Sequence, residues 1–586
     1  MRYILVFALA ASLAAQEKVA ETIEVRVANV DVVVTDRTGH PVHGLTKDDF
    51  EILENGKPQT ITNFYEVGSA PSLPLTVSTP SSGGQTPPPV PQTTAAATAP
   101  TDVRARRFMV VLDNYSLEPI QRNSVITALR KFIDANMKPN DEVSLISWAQ
   151  QIDILTPLTS NKADVLRALD AAMARSRAGM SAGQEDERAR QQCRDLMLDV
   201  DEKDPDAPQT PGVSSGGHSS VTYRWEDAYI ACEGGIQAFA DSQWAKAKSL
   251  LIDMKSIVSR FAGVDGRKVL VLAGASLPEH PGRQAYMWLY QQFQPYQKFI
   301  KKTQINPTKA FGQSGSRSQT FSIDDLAHSA NANGVTFYMI DAADTRDSMS
   351  AEKRGLPDER TNANAENFMQ FTDTASAYHT LAAITGGAAL SNTQNFDAAF
   401  QILDRDLTSF YSLGYKLSAD AQGERSITVR VKKQGLYARS RTSLTPKNAD
   451  DEMNDRVIAN VLHQGVKGEW SVHLSAQEPQ KNGDRFNVPV TVELDPKITL
   501  LPQDQKLVGA FTLYIVVGTK EGAMSKVTKV ARKIEVPAAG EADFRSKPMK
   551  YTLALSVRPG DNIISVGVAD QVSNINGFDR VDVAAK

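Results

Sequence analysis

Few residues in this chain fall at spacings that do chemistry. Eight histidines are scattered along it, and the nearest two, His40 and His43, flank Pro41 and Val42 with no third ligand close by. A surface turn is expected there, because a zinc centre needs three or four converging ligands. Gly216-Gly217-His218-Ser219-Ser220 sets hydroxyls beside an imidazole, yet it lacks the Gly-x-Ser-x-Gly elbow of a serine nucleophile. Phosphate-cradling Gly-x-x-x-x-Gly-Lys, zinc-binding His-Glu-x-x-His and a dinucleotide Gly-x-Gly-x-x-Gly after a first strand are all missing. In the acidic run from Asp199 to Asp206, Asp204 stands where a calcium loop needs its glycine and Pro205 follows, so a solvated loop is expected. Asp341 ends an apolar run and suits a ligand, a base or the cap of the next turn. No enzyme is expected from these residues. A secreted hydrolase with a site scattered in sequence is the alternative.

The two cysteines, Cys193 and Cys232, leave two readings open. They pair in an oxidising compartment, closing a loop worth roughly 3 to 4 kcal/mol, or they stay as two thiols. The compartment itself is suggested by the N-terminus. Met1-Arg2, an apolar stretch from Tyr3 to Ala15 and small residues at Ser12 and Ala14 read as a signal peptide over 1–15. That stretch is too short to span a bilayer, and no later one reaches about 18 apolar residues, so stable membrane insertion is not expected. No cysteine stands near the cleavage region to carry a lipid anchor. A net charge of -4 and the lack of a basic, aromatic-rich run argue against nucleic acid as a partner.

At 586 residues the chain needs several cores to fold. From 16 to 68 the apolar residues alternate, with Val30, Val32 and Val34 as one set and an Asn55-Gly56 hairpin turn after Phe50 to Leu53. Residues 69–103 form a Pro/Ser/Thr-rich linker. From 104 to 408 the texture is α/β: continuous apolar runs such as Phe108 to Leu112 and Val335 to Ile340 alternate with helical stretches, as in an open parallel sheet. Two insertions interrupt it, near 177–235 with both cysteines and near 295–320 with a basic character (Lys298, Lys301, Lys302, Lys309 and Arg317). Strand patterns return over 409–447, and 448–586 reads as repeated strands, an immunoglobulin-like sandwich. Strands 16–68 and 409–447 are each too few for a sandwich, so they are expected to complete one together, with the α/β domain inserted between them.

Several phrases in order resemble one family. Val32-Val33-Val34-Thr35-Asp36, Gly44-Leu45-Thr46-Lys47-Asp48-Asp49-Phe50 and Glu54-Asn55-Gly56 resemble the opening of acidobacterial VWFA-related domain proteins. So do Gly266 to Leu272, Gly334 to Asp341, Thr385-Gly386-Gly387 and Tyr411-Ser412-Leu413-Gly414-Tyr415. The resemblance runs from about residue 20 to 445. It implies a doubly wound von Willebrand factor A-like domain flanked by β-sandwiches, a fold used for adhesion and recognition.

It also implies a metal-ion-dependent adhesion site at the C-terminal edge of the sheet. Such a site has Asp-x-Ser-x-Ser after the first strand, a Thr from a later loop and an Asp after the fourth strand, together holding Mg²⁺. Here Asp113 is in place, but Tyr115 and Leu117 fill the serine positions and Ala275 the second Asp position. Ser116 is one residue out of register and its hydroxyl is expected to point elsewhere, while Ser219, Ser220 or Thr222 could supply the loop hydroxyl. Asp113 and Ser116 then make a weak or absent Mg²⁺ site, with Asp113 a cap or loop anchor. The reading is a secreted, non-enzymatic protein that recognises a protein or cell-surface ligand without metal or other cofactor; a structural or assembly role in the envelope is the alternative.

Overall fold

The computed structural model describes residues 27–68, 105–174, 180–203, 225–300, 304–305, 312, 314–343, 374–390, 395–418, 423–463, 466, 468–519 and 523–586. The segment 1–15 expected as a signal peptide, the expected linker 69–103, His218, Ser219, Ser220, Thr222 and the lysines Lys301, Lys302 and Lys309 lie outside them. The architecture is mixed α/β with additional all-β sheets. Among the described residues no helix is long and apolar enough to cross a membrane.

Six strands form the central sheet: Arg106–Asp113 (β1), Glu142–Trp148 (β2), Ile152–Thr159 (β3), Arg267–Gly274 (β4), Val335–Asp341 (β5) and Ala388–Leu390 (β6). Their order is β6-β5-β4-β1-β2-β3, parallel throughout except for β3. The apolar runs follow from burial on both faces: Phe108, Val110 and Leu112 point into one core, Met109 and Val111 into the other. Helices α1 (Pro119–Asn136) and α2 (Lys162–Ala174) cover the first face. The second face is covered by the C-terminal half of α4 (Trp225–Arg260), by α6 (Thr320–Ala332) and by α7, described over 374–385. The described part of the first insertion is helical. It comprises α3 (Ala182–Lys203) and the N-terminal half of α4, with α5 (Arg283–Phe293) packed against it. The loop expected at Asp199 to Lys203 is therefore corrected to the last turn of α3; Cys193 and Val200, seven residues apart, lie on its buried stripe.

The chain enters and leaves this unit through a second core. The strand Phe410–Lys416 lies between Val27–Thr35 and Ile61–Val67, pairing antiparallel with both. Facing that sheet, Arg425–Val431 pairs with Phe50–Glu54. Strands from both flanks thus share one core, in which Val30, Val32, Phe50, Ile52, Leu413 and Tyr415 are buried. The hairpin after Phe50–Glu54 turns through Asn55 (φ 49°) and Gly56 (φ 76°), the two left-handed residues that a tight two-residue hairpin demands. Gly56→Ala is expected to lower stability by about 1 kcal/mol, read as a small drop in thermal midpoint.

Residues 448–586 contain helical elements the strand reading passed over, the longest being α8 (Ala449–Leu462), capped by Asn448, whose side chain accepts from Asp451 N. It packs on one of two antiparallel sheets that face each other across a core including Val488, Val490, Leu513 and Val566.

Candidate functional site

In an open α/β sheet the crevice for ligands lies where strand order reverses, beyond the C-terminal ends of the strands. Here that point is the β1/β4 pair, because chain order runs outward from it in both directions. Three strand ends converge on it: Asp113 from β1, Gly274 from β4 and Asp341 from β5. Asp113 is 1% exposed. Its Oδ1 accepts from the backbone N–H groups of Tyr115 and Ser116, both at 3.1 Å, and its Oδ2 accepts from the Ser116 hydroxyl at 2.6 Å. The Ser116 Oγ in turn accepts from Ala275 N at 2.8 Å. The expectation that Ser116 points elsewhere is thus corrected: the tight turn after β1 swings its hydroxyl back to bridge two strand ends. Helix α1 is capped instead by Glu118 and opened by Pro119.

The remaining space is filled from α7 and β5. The Tyr378 hydroxyl lies 2.8 Å from where a side chain on Gly274 would begin, so Gly274 is a close-approach position. Tyr378 is buried, and burial, with the Asp341 and Asp113 carboxylates beside it, pushes its phenol well above its ordinary value. Asp341 accepts from Ala343 N at 3.0 Å and so caps the following turn.

Above this cluster the insertion forms a roof. Tyr115 accepts at its carbonyl from Ala182 N, the first residue of α3, at 3.3 Å. Its hydroxyl donates to Glu185 Oε2 at 2.8 Å and accepts from Gln243 Nε2 at 2.8 Å. Lys246 Nζ sits 2.6 Å from both Glu185 oxygens and 4.8 Å from the centre of the Tyr115 ring. Burial, then the Glu185 contact, raise the Tyr115 phenol, which stays a donor. The Tyr115 side chain therefore fastens α3 and α4 over the sheet. Cys193 and Cys232 are bonded to each other within that insertion, joining α3 to α4.

Magnesium needs about six oxygens around an accessible centre. Leu117 and Ala275 carry no side-chain oxygen, and the Tyr115 hydroxyl is engaged by Glu185 and Gln243. The Ser116 hydroxyl is engaged on both sides and Asp113 faces three donors. These residues do not fit the ion. Among the described residues no group of three or more His, Cys, Asp or Glu side chains is arranged to hold a metal. Glu185, Gln243, Lys246 and Tyr378 were missed from sequence, since each lies more than 60 residues from Asp113 and carries no motif. Tyr115 was the available signal, a large polar side chain where the resemblance implies a small ligand.

No family model matches the chain, and no curated protein matches it. Among solved structures, an X-ray structure of a Northeast Structural Genomics Consortium target is similar to 20% of this chain and is itself 85% covered, at 15% identity and a TM-score of 0.14. A likeness at that score carries no argument.

Proposed function

We propose that the α/β unit is a von Willebrand factor A-like domain of the VWFA-related type with its adhesion site closed. The chain is then an exported, non-enzymatic binding protein that recognises a protein or surface ligand without metal. The strand order, antiparallel β3 and helices on both faces support the domain reading, and an immunoglobulin-like assignment suits the C-terminal pair of sheets. A bonded Cys193–Cys232 pair is in keeping with an oxidising compartment. The observation that carries the reading is the Tyr115–Glu185–Lys246 contact above a buried, internally satisfied Asp113. In an open adhesion site those same positions would face a ligand. Recognition is thereby moved outward, onto the inserted helices that cover the sheet.

Calorimetry with Mn²⁺ tests the metal-free part. No saturable heat is expected up to about 1 mM, a ceiling weaker than about -4 kcal/mol of binding. Saturable binding that Asp113→Ala abolishes would restore a metal-dependent mechanism. The recognition part is tested with envelope fractions: binding should survive chelator and be lost on placing charge at Leu198, which is 40% exposed on α3.

A further inference from the structure

We propose that the strand Met549–Val557 is a self-association edge, through which two copies of this chain pair antiparallel into one continuous sheet. On one side the strand pairs with Arg485–Leu494 along its whole length, from Leu494↔Met549 to Phe486↔Val557. Among the described residues no strand pairs with its other side. Alternate N–H and C=O groups on that side have no strand partner among the described residues and can template a further strand.

The neighbouring sheet shows what a protected edge looks like in this fold. Its outer strand, Thr528–Pro537, carries Lys529, Arg532, Lys533 and Glu535 and ends on a proline. Charges and proline at these positions discourage edge-to-edge pairing. Met549–Val557 has none of these devices past its second residue. Lys550 is its one charge and is held by Glu493 at 3.0 Å, while Thr552 to Val557 contains no charge, no proline and no glycine. Nine residues of that composition make an edge that pairs readily.

Packing adds a second reason. In the adjacent strand the inward residues Val488, Val490, Val492 and Leu494 are all 0% exposed. Their counterparts on the edge, Tyr551, Leu553 and Leu555, reach the same core but are only partly buried. One more strand would cover them and remove apolar surface from water.

The occupant is a second copy because the strand matches itself. In an antiparallel register centred on Leu553, Tyr551 opposes Leu555, Thr552 opposes Ala554 and Lys550 opposes Ser556. Inward residues meet inward ones, outward meet outward, and no like charges face each other. Such a two-fold contact is closed, so it stops at the dimer.

Sedimentation equilibrium of the full chain from about 1 to 100 μM reads the state directly. The mass of two chains is expected. Thr552→Lys/Ala554→Lys puts like charges across the contact at exposed positions and should weaken the dimer about 100-fold or more, with an unchanged thermal midpoint. Thr552→Glu/Ala554→Glu should do the same alone, and an equimolar mixture of the two variants should recover the dimer. A wild-type monomer throughout the range, a Lys variant that stays dimeric, or a folded mixture that stays monomeric would each overturn the proposal. The monomer result would assign the edge to a foreign strand or to another segment of the chain. None of these outcomes bears on the closed adhesion site, which stands or falls on the Mn²⁺ titration.

Discussion

Asp113→Ala is expected to destabilise the α/β unit by about 3 to 5 kcal/mol, while Asp113→Asn costs a fraction of that. The carboxylate is 1% exposed and takes three hydrogen bonds, from the N–H groups of Tyr115 and Ser116 and from the Ser116 hydroxyl. Removing it strands these donors where water does not reach, and each buried donor left unmade costs about 1 to 3 kcal/mol. Asparagine keeps an oxygen for the two backbone N–H groups, and the Ser116 hydroxyl can rotate to accept from its amide. A metal ligand would show the opposite pattern: both substitutions would abolish metal affinity, and stability without metal would hardly change. Urea unfolding followed by tryptophan emission separates the two, because the Trp148 ring packs edge-on to Tyr115 at 6.1 Å. A loss below about 1 kcal/mol for alanine would mean that the hydrogen bonds do not hold this turn.

That prediction depends on a side-chain direction the sequence could not convey. Where burial is two-sided and continuous, as in Phe108 to Leu112, a bare apolar run was enough to place β1. The hairpin at Asn55-Gly56 was equally legible, since few residue pairs tolerate two left-handed conformations in succession. Ser116 was not, because counting positions from Asp113 assumes an extended loop. The real turn closes at once, with Leu117 N bonded back to the Asp113 carbonyl at 3.0 Å. The acidic tail of α3 misled for another reason. Charge density over Asp199 to Lys203 outweighed the seven-residue spacing of Cys193 and Val200 that marks a helix stripe. In α8 the signals were present, an Asn448 cap followed by Asp450, Asp451 and Glu452, where the helix dipole favours acids. They were passed over because strands dominate everything after them. The roof over Asp113 is a tertiary fact: Glu185 and Lys246 are 61 residues apart and meet only when α3 folds back on α4.

The joint between the α/β unit and the C-terminal unit should fail in acid, and one histidine should account for much of it. His463 closes α8 and packs at a tilt on Phe261 beyond the end of α4, ring centres 4.5 Å apart. It is 8% exposed, and among the described residues neither ring nitrogen has a hydrogen-bond partner. Burial first, then the nearby charges of Arg580 and Arg260, push its pKa down from 6.5 to about 3. Above pH 6.5 the ring is neutral whether the chain is folded or not, and no stability is lost. As pH falls below 6.5 the unfolded chain takes up a proton that the folded chain refuses, so stability declines until about pH 3. At 1.36 kcal/mol per unit the loss amounts to about 4 to 5 kcal/mol across that window. His463→Phe keeps the ring contact with Phe261, removes the two buried nitrogens and cannot be protonated. At pH 7.5 it should match or slightly exceed the wild type. At pH 4.5, two units below the unfolded pKa, it should be ahead by about 3 kcal/mol. The decisive reading is the shape of the two curves of thermal midpoint against pH. Curves that run parallel from pH 7.5 to 4.5 would clear His463 of any part in acid unfolding. Curves that separate only below pH 6.5 would mark this buried ring as the acid-sensitive contact between the two units.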